Sequence, residues 1–146
     1  MDEDLHAGEW IVSHLEGDTG VGGLFDPAKP EPLAGVYRDL IPADKDLPAI
    51  RFQLQNPHDV RTVGQARVLV RLDYLIVVTR EGHAVAPLVP LADRVDELLH
   101  RANGSTSTLT IYECTRLQPF HLLEPDDSGV QYRHAGGIYR TMVQAK

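Results

Sequence analysis

A single cysteine, Cys114, stands in this chain of 146 residues, so no internal disulfide can form and no CxxC pair exists to hold a structural zinc. Stability has to come from packing. No run of apolar residues approaches the ~18 that a membrane span requires, which predicts a soluble protein. The opening MDEDLHAGEW starts with three acids, Asp2 to Asp4, and has neither a basic n-region nor an apolar h-region, so no secretory signal is expected and the cytoplasm is the expected setting. Basic charge is also short. A formal net charge of −7 and a pI near 5.4 exclude a sequence-independent duplex binder, which needs a basic face to displace counterions. Acidity is compatible with DNA passing nearby, because an acidic wall repels phosphates and keeps a strand from sticking.

Catalytic and ligand motifs are missing as well. His6, His14, His58, His83, His100, His121 and His134 show neither HxH nor HExxH spacing. Gly20-Val21-Gly22-Gly23 is not followed by GK[ST] and reads as a turn rather than a phosphate loop. There is no GxSxG, and Cys114 falls mid-strand with no base assigned to it, so it reads as a structural thiol. The expectation is no enzyme, no cofactor and no metal. Asp93, Asp96 and Glu97 lie on the polar face of a predicted helix and Asp126-Asp127 in a loop. They read as solvated charges or, alternatively, as partners for Arg61, Arg67 and Arg71 of a neighbouring subunit.

What is present is one globular domain over 1–146, at 42% hydrophobic and 24% charged residues. Leu5, Trp10, Ile11 and Leu15 recur at helical spacing over 2–15, with Asp2, Glu3 and Asp4 in the first turn, and the Gly17–Gly23 cluster ends that helix. Five prolines restrict 24–48 to loop or arm with at most a short strand near 35–40. Ile50, Phe52 and Leu54 alternate with polar residues over 49–55, giving a strand, and Asn56-Pro57-His58-Asp59 breaks it with turn chemistry and a polar connection to Gly64.

A long strand over 67–80 buries Val68, Val70, Leu72, Tyr74, Ile76 and Val78 on one face. Its other face is charged at Arg67, Arg71 and Asp73 and apolar at Leu75 and Val77. A helix follows over 89–101, capped at Asn103-Gly104, then strands over 108–117 and 132–143, with Gly136-Gly137 marking a bulge or bend. The predicted fold is α+β, a mainly antiparallel sheet of about 4–5 strands with two helices on one face.

The stretch PAIRFQLQNPHDVRTVGQARVLVRLDYLIVVTREGHAVAPLVPLADRVDELL resembles the tail terminator, or tail completion, proteins of long-tailed bacteriophages and phage-derived particles. The resemblance lies in the Pro-led strand, polar loop, long strand with Tyr74, and helix ending in Asp96-Glu97-Leu98-Leu99. The N-terminal helix before a Gly/Pro-rich segment and the two closing strands match too. The 24–48 arm is longer, and the 56–64 loop shorter, than that pattern. The resemblance implies a virion protein of the neck, assembled in the host cytoplasm as a homo-oligomeric ring, a hexamer. That ring caps the tail tube, ends its polymerisation and presents the head-joining surface. The implied partners are the tail tube protein and head–tail connector proteins, with DNA passing through the channel unread and neighbouring subunits extending each other's sheets or packing helix on sheet. Interface residues expected by this analogy are His58, Arg61, Arg67, Arg71 and Asp73, with the 56–64 loop and the 24–48 arm. Two other readings stand beside it: another neck protein, for head completion or connection, and a small ligand-binding domain gathering His58, His121 and His134.

Overall fold

The computed structural model describes residues 2–61 and 67–146, and the side chains of Asp2, Val60, Arg61, Arg67 and Val68 lie outside the described residues. In chain order the elements are α1 (Asp2–Glu16), β1 (Val36–Arg38), β2 (Ala49–Arg61), β3 (Arg67–Glu81), α2 (Val89–Leu99), β4 (Ala102–Ser105), β5 (Leu109–Pro125) and β6 (Gln131–Ala145). The strands make one curled sheet in the order β1-β2-β3-β6-β5-β4, antiparallel at every junction except the parallel β1-β2 pair. The α+β class is as expected. Among the described residues the sheet has six strands rather than four or five.

The core follows from two periodicities. Ala7, Ile11 and Leu15, spaced by four along α1, are fully buried, and Val95 and Leu99 do the same for α2. On β3 the alternate residues Val70, Leu72, Tyr74, Ile76 and Val78 are buried beneath them, joined by Ile50 and Phe52 of β2, Tyr139 and Val143 of β6, and Ile111 and Cys114 of β5. Each such side chain stabilises the fold by about 1.5–3 kcal/mol relative to exposure.

Two tyrosines fix the helices to this face. Tyr74 and Tyr139 are cross-strand partners at the middle of the β3-β6 ladder. The Tyr74 hydroxyl donates to Asp4 Oδ1 of α1 at 2.6 Å, and the Tyr139 hydroxyl to Asp96 Oδ1 of α2 at 3.0 Å. Each aspartate also meets an arginine from an outer strand, Arg38 at 2.5 Å for Asp4 and Arg116 at 3.4 Å for Asp96. Burial first, and the neighbouring carboxylate second, push both phenols above their ordinary pKa, so both stay protonated donors. The sheet curls round α1: Gly8 leaves room for Arg38 of β1, while Trp10 reaches to Gly104 of β4, where an added Cβ would lie 2.7 Å from the indole nitrogen.

Several expected boundaries move. The strand expected to stop at 55 runs on through Asn56-Pro57 to Arg61, because a register shift between Leu54 and Asn56 absorbs the irregularity. Among the described residues no strand lies outside β2 there, so Pro57 sacrifices no ladder bond on that side. The second helix ends at Leu99. His100 is extended, Arg101 takes φ 65°, and the chain turns straight into β4 where a helix cap was expected at Asn103-Gly104. β5 continues past 117 to Pro125 because pairing along the whole of β6 outweighs the local proline and polar content. Gly136-Gly137 sits in unbroken register and bends without a bulge. The register shifts lie opposite, in β5, at Ile111/Glu113 and Arg116/Gln118.

The 24–48 segment packs on the body. Leu24, Leu33 and Val36 join the core, Glu31 pairs with Arg80 at 3.2 Å, and Ile41, Pro42, Lys45 and Leu47 flank a cavity of about 280 Å³ beside Thr79 and Tyr132. Among the described residues no helix is long and apolar enough to cross a membrane.

Candidate assembly surface

One sheet face carries the helices; the other carries charge. Alternation along β3 puts Arg71, Asp73, Leu75, Val77 and Thr79 on the helix-free face. Register then places His58 directly opposite Arg71, and Asn56 opposite Asp73. Three of the expected interface residues, His58, Arg71 and Asp73, therefore share one patch at the β2-β3 end of the sheet. The side chains of Arg61 and Arg67 lie outside the described residues, as does most of the loop beyond 61.

Within the patch the roles differ. Asp73 is 6% exposed and takes a two-pronged ion pair from Arg140 of β6, at 3.0 and 3.1 Å, which raises the Arg140 pKa further. That carboxylate is engaged inside the chain by Arg140. Arg71 is half-buried, and its Nε is buried without a hydrogen-bond acceptor among the described residues. His58 is exposed.

At the opposite end of the same face, His134 accepts or donates a 2.8 Å bond to the Thr79 hydroxyl, both groups being buried. Its Nε2 lies 3.2 Å from Glu124 Oε2, off the line of a hydrogen bond. Burial first, then the charge of Arg51, pull the His134 pKa below 6.5, with Glu124 opposing. The imidazole is neutral at pH 7. His58, His121 and His134 are not gathered: His58 pairs across to Arg71, His134 to Thr79, and His121 alternates onto the other face beside Ala135. Among the described residues no group of three or more His, Cys, Asp or Glu side chains could hold a metal ion.

The sheet margins are the feature sequence reasoning did not foresee. β1 pairs with only Ile50–Phe52 of β2, and β4 only with β5 up to Cys114. Among the described residues, the outer edges of 53–61 in β2 and of 117–125 in β5 therefore meet no strand. Strand register carries levels across the sheet: Phe52, Ile76, Gly137 and Pro119 stand in one row, while Pro57, Leu72, Thr141 and Cys114 stand in another. The two bare stretches thus lie at opposite ends of the sheet, diagonal to each other. Leu117, Leu122 and Leu123, each 40–45% exposed, sit on the bare part of β5. Unpaired edges of this length are ordinarily blunted or used, and Pro57, Pro119 and Pro125 blunt these only in part.

Cys114 is fully buried beside Thr141, and its thiol is pushed up to about 12, chiefly by burial. It is a packed thiol with no nucleophilic character. No model of a known protein family matches this chain, and no functionally characterised protein matches it in sequence.

Proposed function

We propose that this chain is a ring-forming subunit of a phage-type tail terminus: a hexameric ring that caps the tail tube, ends its polymerisation and offers the surface to which the head is joined. The observation that supports the assembly half of this reading is the pair of half-bare sheet margins, one of which displays three leucines. A chain that stays monomeric gains nothing from such edges and risks aggregation through them. The tail-tube half rests on the resemblance of 48–99 and of the element order to tail terminator proteins. In this reading Arg71 and His58 meet a neighbouring subunit, DNA passes the ring without base contacts, and the net charge of −7 keeps it from adhering.

Light scattering after size exclusion, with negative-stain images, tests the proposal. Rings at high protein concentration, or on addition of a tail tube protein from the same genome, are the expected result. A strict monomer under both conditions overturns it. Arg71→Glu should abolish rings while leaving the subunit folded, with a cooperative thermal transition retained. Pull-downs against tube protein and against portal-side proteins separate a tail terminator from another neck component.

A further inference from the structure

The helix-bearing face ends, beyond the helices, in two arginines that stand directly opposite each other: Arg80 of β3 and Arg133 of β6. Opposed residues in an antiparallel pair have Cβ atoms about 4.5–5.5 Å apart, and like charges in that position oppose each other. Arg80 is answered on one side by Glu31, whose carboxylate is 56% exposed and accepts from Nη2 at 3.2 and 3.4 Å. Arg133 has no carboxylate within ion-pairing distance among the described residues, and its cross-strand neighbour on the other side is Leu123. The Nε atoms of both arginines are buried and lack a hydrogen-bond acceptor among the described residues.

A buried, unmet donor is costly, and native structures rarely keep one without a partner. Here two occur on cross-strand neighbours, each a partly exposed residue. Arg71 has a similar Nε but stands alone, opposite His58 and Met142.

We propose that Arg80 and Arg133 together form a seat for an oxyanion, a phosphate or a carboxylate, bridged between the two guanidiniums. Planar arginine forks match the oxygen spacing of such groups, and a negative charge placed between them offsets the repulsion between the two guanidiniums. Glu31 is an internal competitor that half fills the seat from the Arg80 side. Its removal strengthens binding.

Thermal unfolding of the full chain, titrated with inorganic phosphate and separately with acetate against sodium chloride of equal ionic strength, reads this directly. The parent should gain midpoint temperature with phosphate in a saturable manner, following the logarithmic dependence expected for a ligand that binds only the folded state. Arg133→Ala should fold with a midpoint at or above the parent in chloride, because it removes a like-charge contact, yet lose the saturable gain. Glu31→Gln should saturate at several-fold lower phosphate. A saturable gain with acetate alone assigns the seat to carboxylates, and one with phosphate alone to phosphates; either supports the proposal. Equal, unsaturated gains in the parent and in Arg133→Ala are the general salting effect of the anion and overturn it, as does a parent with no gain from either ion. Should Arg133→Ala fail to fold, chemical-shift changes of the parent's arginine Nε signals under phosphate decide in its place, and no change overturns the proposal.

Discussion

Replacing Asp18 by alanine isolates the contact that closes the glycine-rich turn onto α2. The Asp18 carboxylate, 10% exposed, accepts from Arg94 Nε at 2.9 Å, Arg94 Nη2 at 2.8 Å and the Leu24 amide at 2.7 Å, while its own carbonyl accepts from Phe25 N at 3.0 Å. Gly23 lies so close that an added Cβ would meet that carbonyl at 2.5 Å. Hydrogen bonds to charged groups contribute roughly 1.5–3 kcal/mol each when buried, but Arg94 is 36% exposed and regains water when released. The Leu24 amide, by contrast, is left short of an acceptor. The expected loss is about 2–3 kcal/mol, or about 8–12 °C in midpoint for a domain of this size.

The Asp18 mutation has a pH signature. Arg94, and after it the Leu24 amide, hold the Asp18 carboxyl below its ordinary 3.8 against the opposing effect of burial. A depressed folded pKa means that the unfolded chain takes up the proton first as pH falls. The stabilisation is fully present above about pH 4 to 5 and is lost as pH drops through 3.8 towards the folded value. Urea unfolding of parent and Asp18→Ala at pH 7 and at pH 3 measures both quantities. The gap should narrow at pH 3, and Asp18→Asn, which keeps an acceptor without the charge, should fall between them at pH 7. A gap under 0.5 kcal/mol at pH 7, or one that is the same at pH 3, refutes the assignment of this carboxylate.

Gly136→Ala places a methyl group against the Ile76 carbonyl and 2.8 Å from Val77 Cα, so β6 must leave β3; a loss of about 3 kcal/mol or more by denaturant titration is expected, and a change below 1 kcal/mol is the contrary result. Cys114 should react with a thiol-specific disulfide reagent at least about a hundred times more slowly in the native chain than in urea, since burial both shields it and suppresses the thiolate; equal rates would show that it is accessible.

The helices and the long strands were legible from periodicity. Ala7, Ile11 and Leu15 on α1, and Val70 to Val78 on β3, are spaced as a helix face and a strand face must be to bury one side. Alternation also put Arg71 and Asp73 on one face of the long strand, whereas His58 was expected in a loop and only the continued β2 register sets it opposite Arg71. The sequence could not say that Asp73 is already taken by Arg140, since that partner stands 67 residues away and only the β3-β6 register brings the two together.

Composition and periodicity by themselves determined the class, the two helices, the central strand and the buried, unpaired cysteine. Tertiary structure alone decided where strands stop. β2 runs through Pro57 and β5 through Pro119 because each gains a full ladder from the strand on its inner side, a non-local term that overrides local propensity. It also decided that β1 and β4 are short, which leaves the outer edges of 53–61 and 117–125 without a strand. It set Arg80 against Arg133 too. Pairing is a relation between distant segments, and hydrophobic spacing within one segment carries no record of its neighbour.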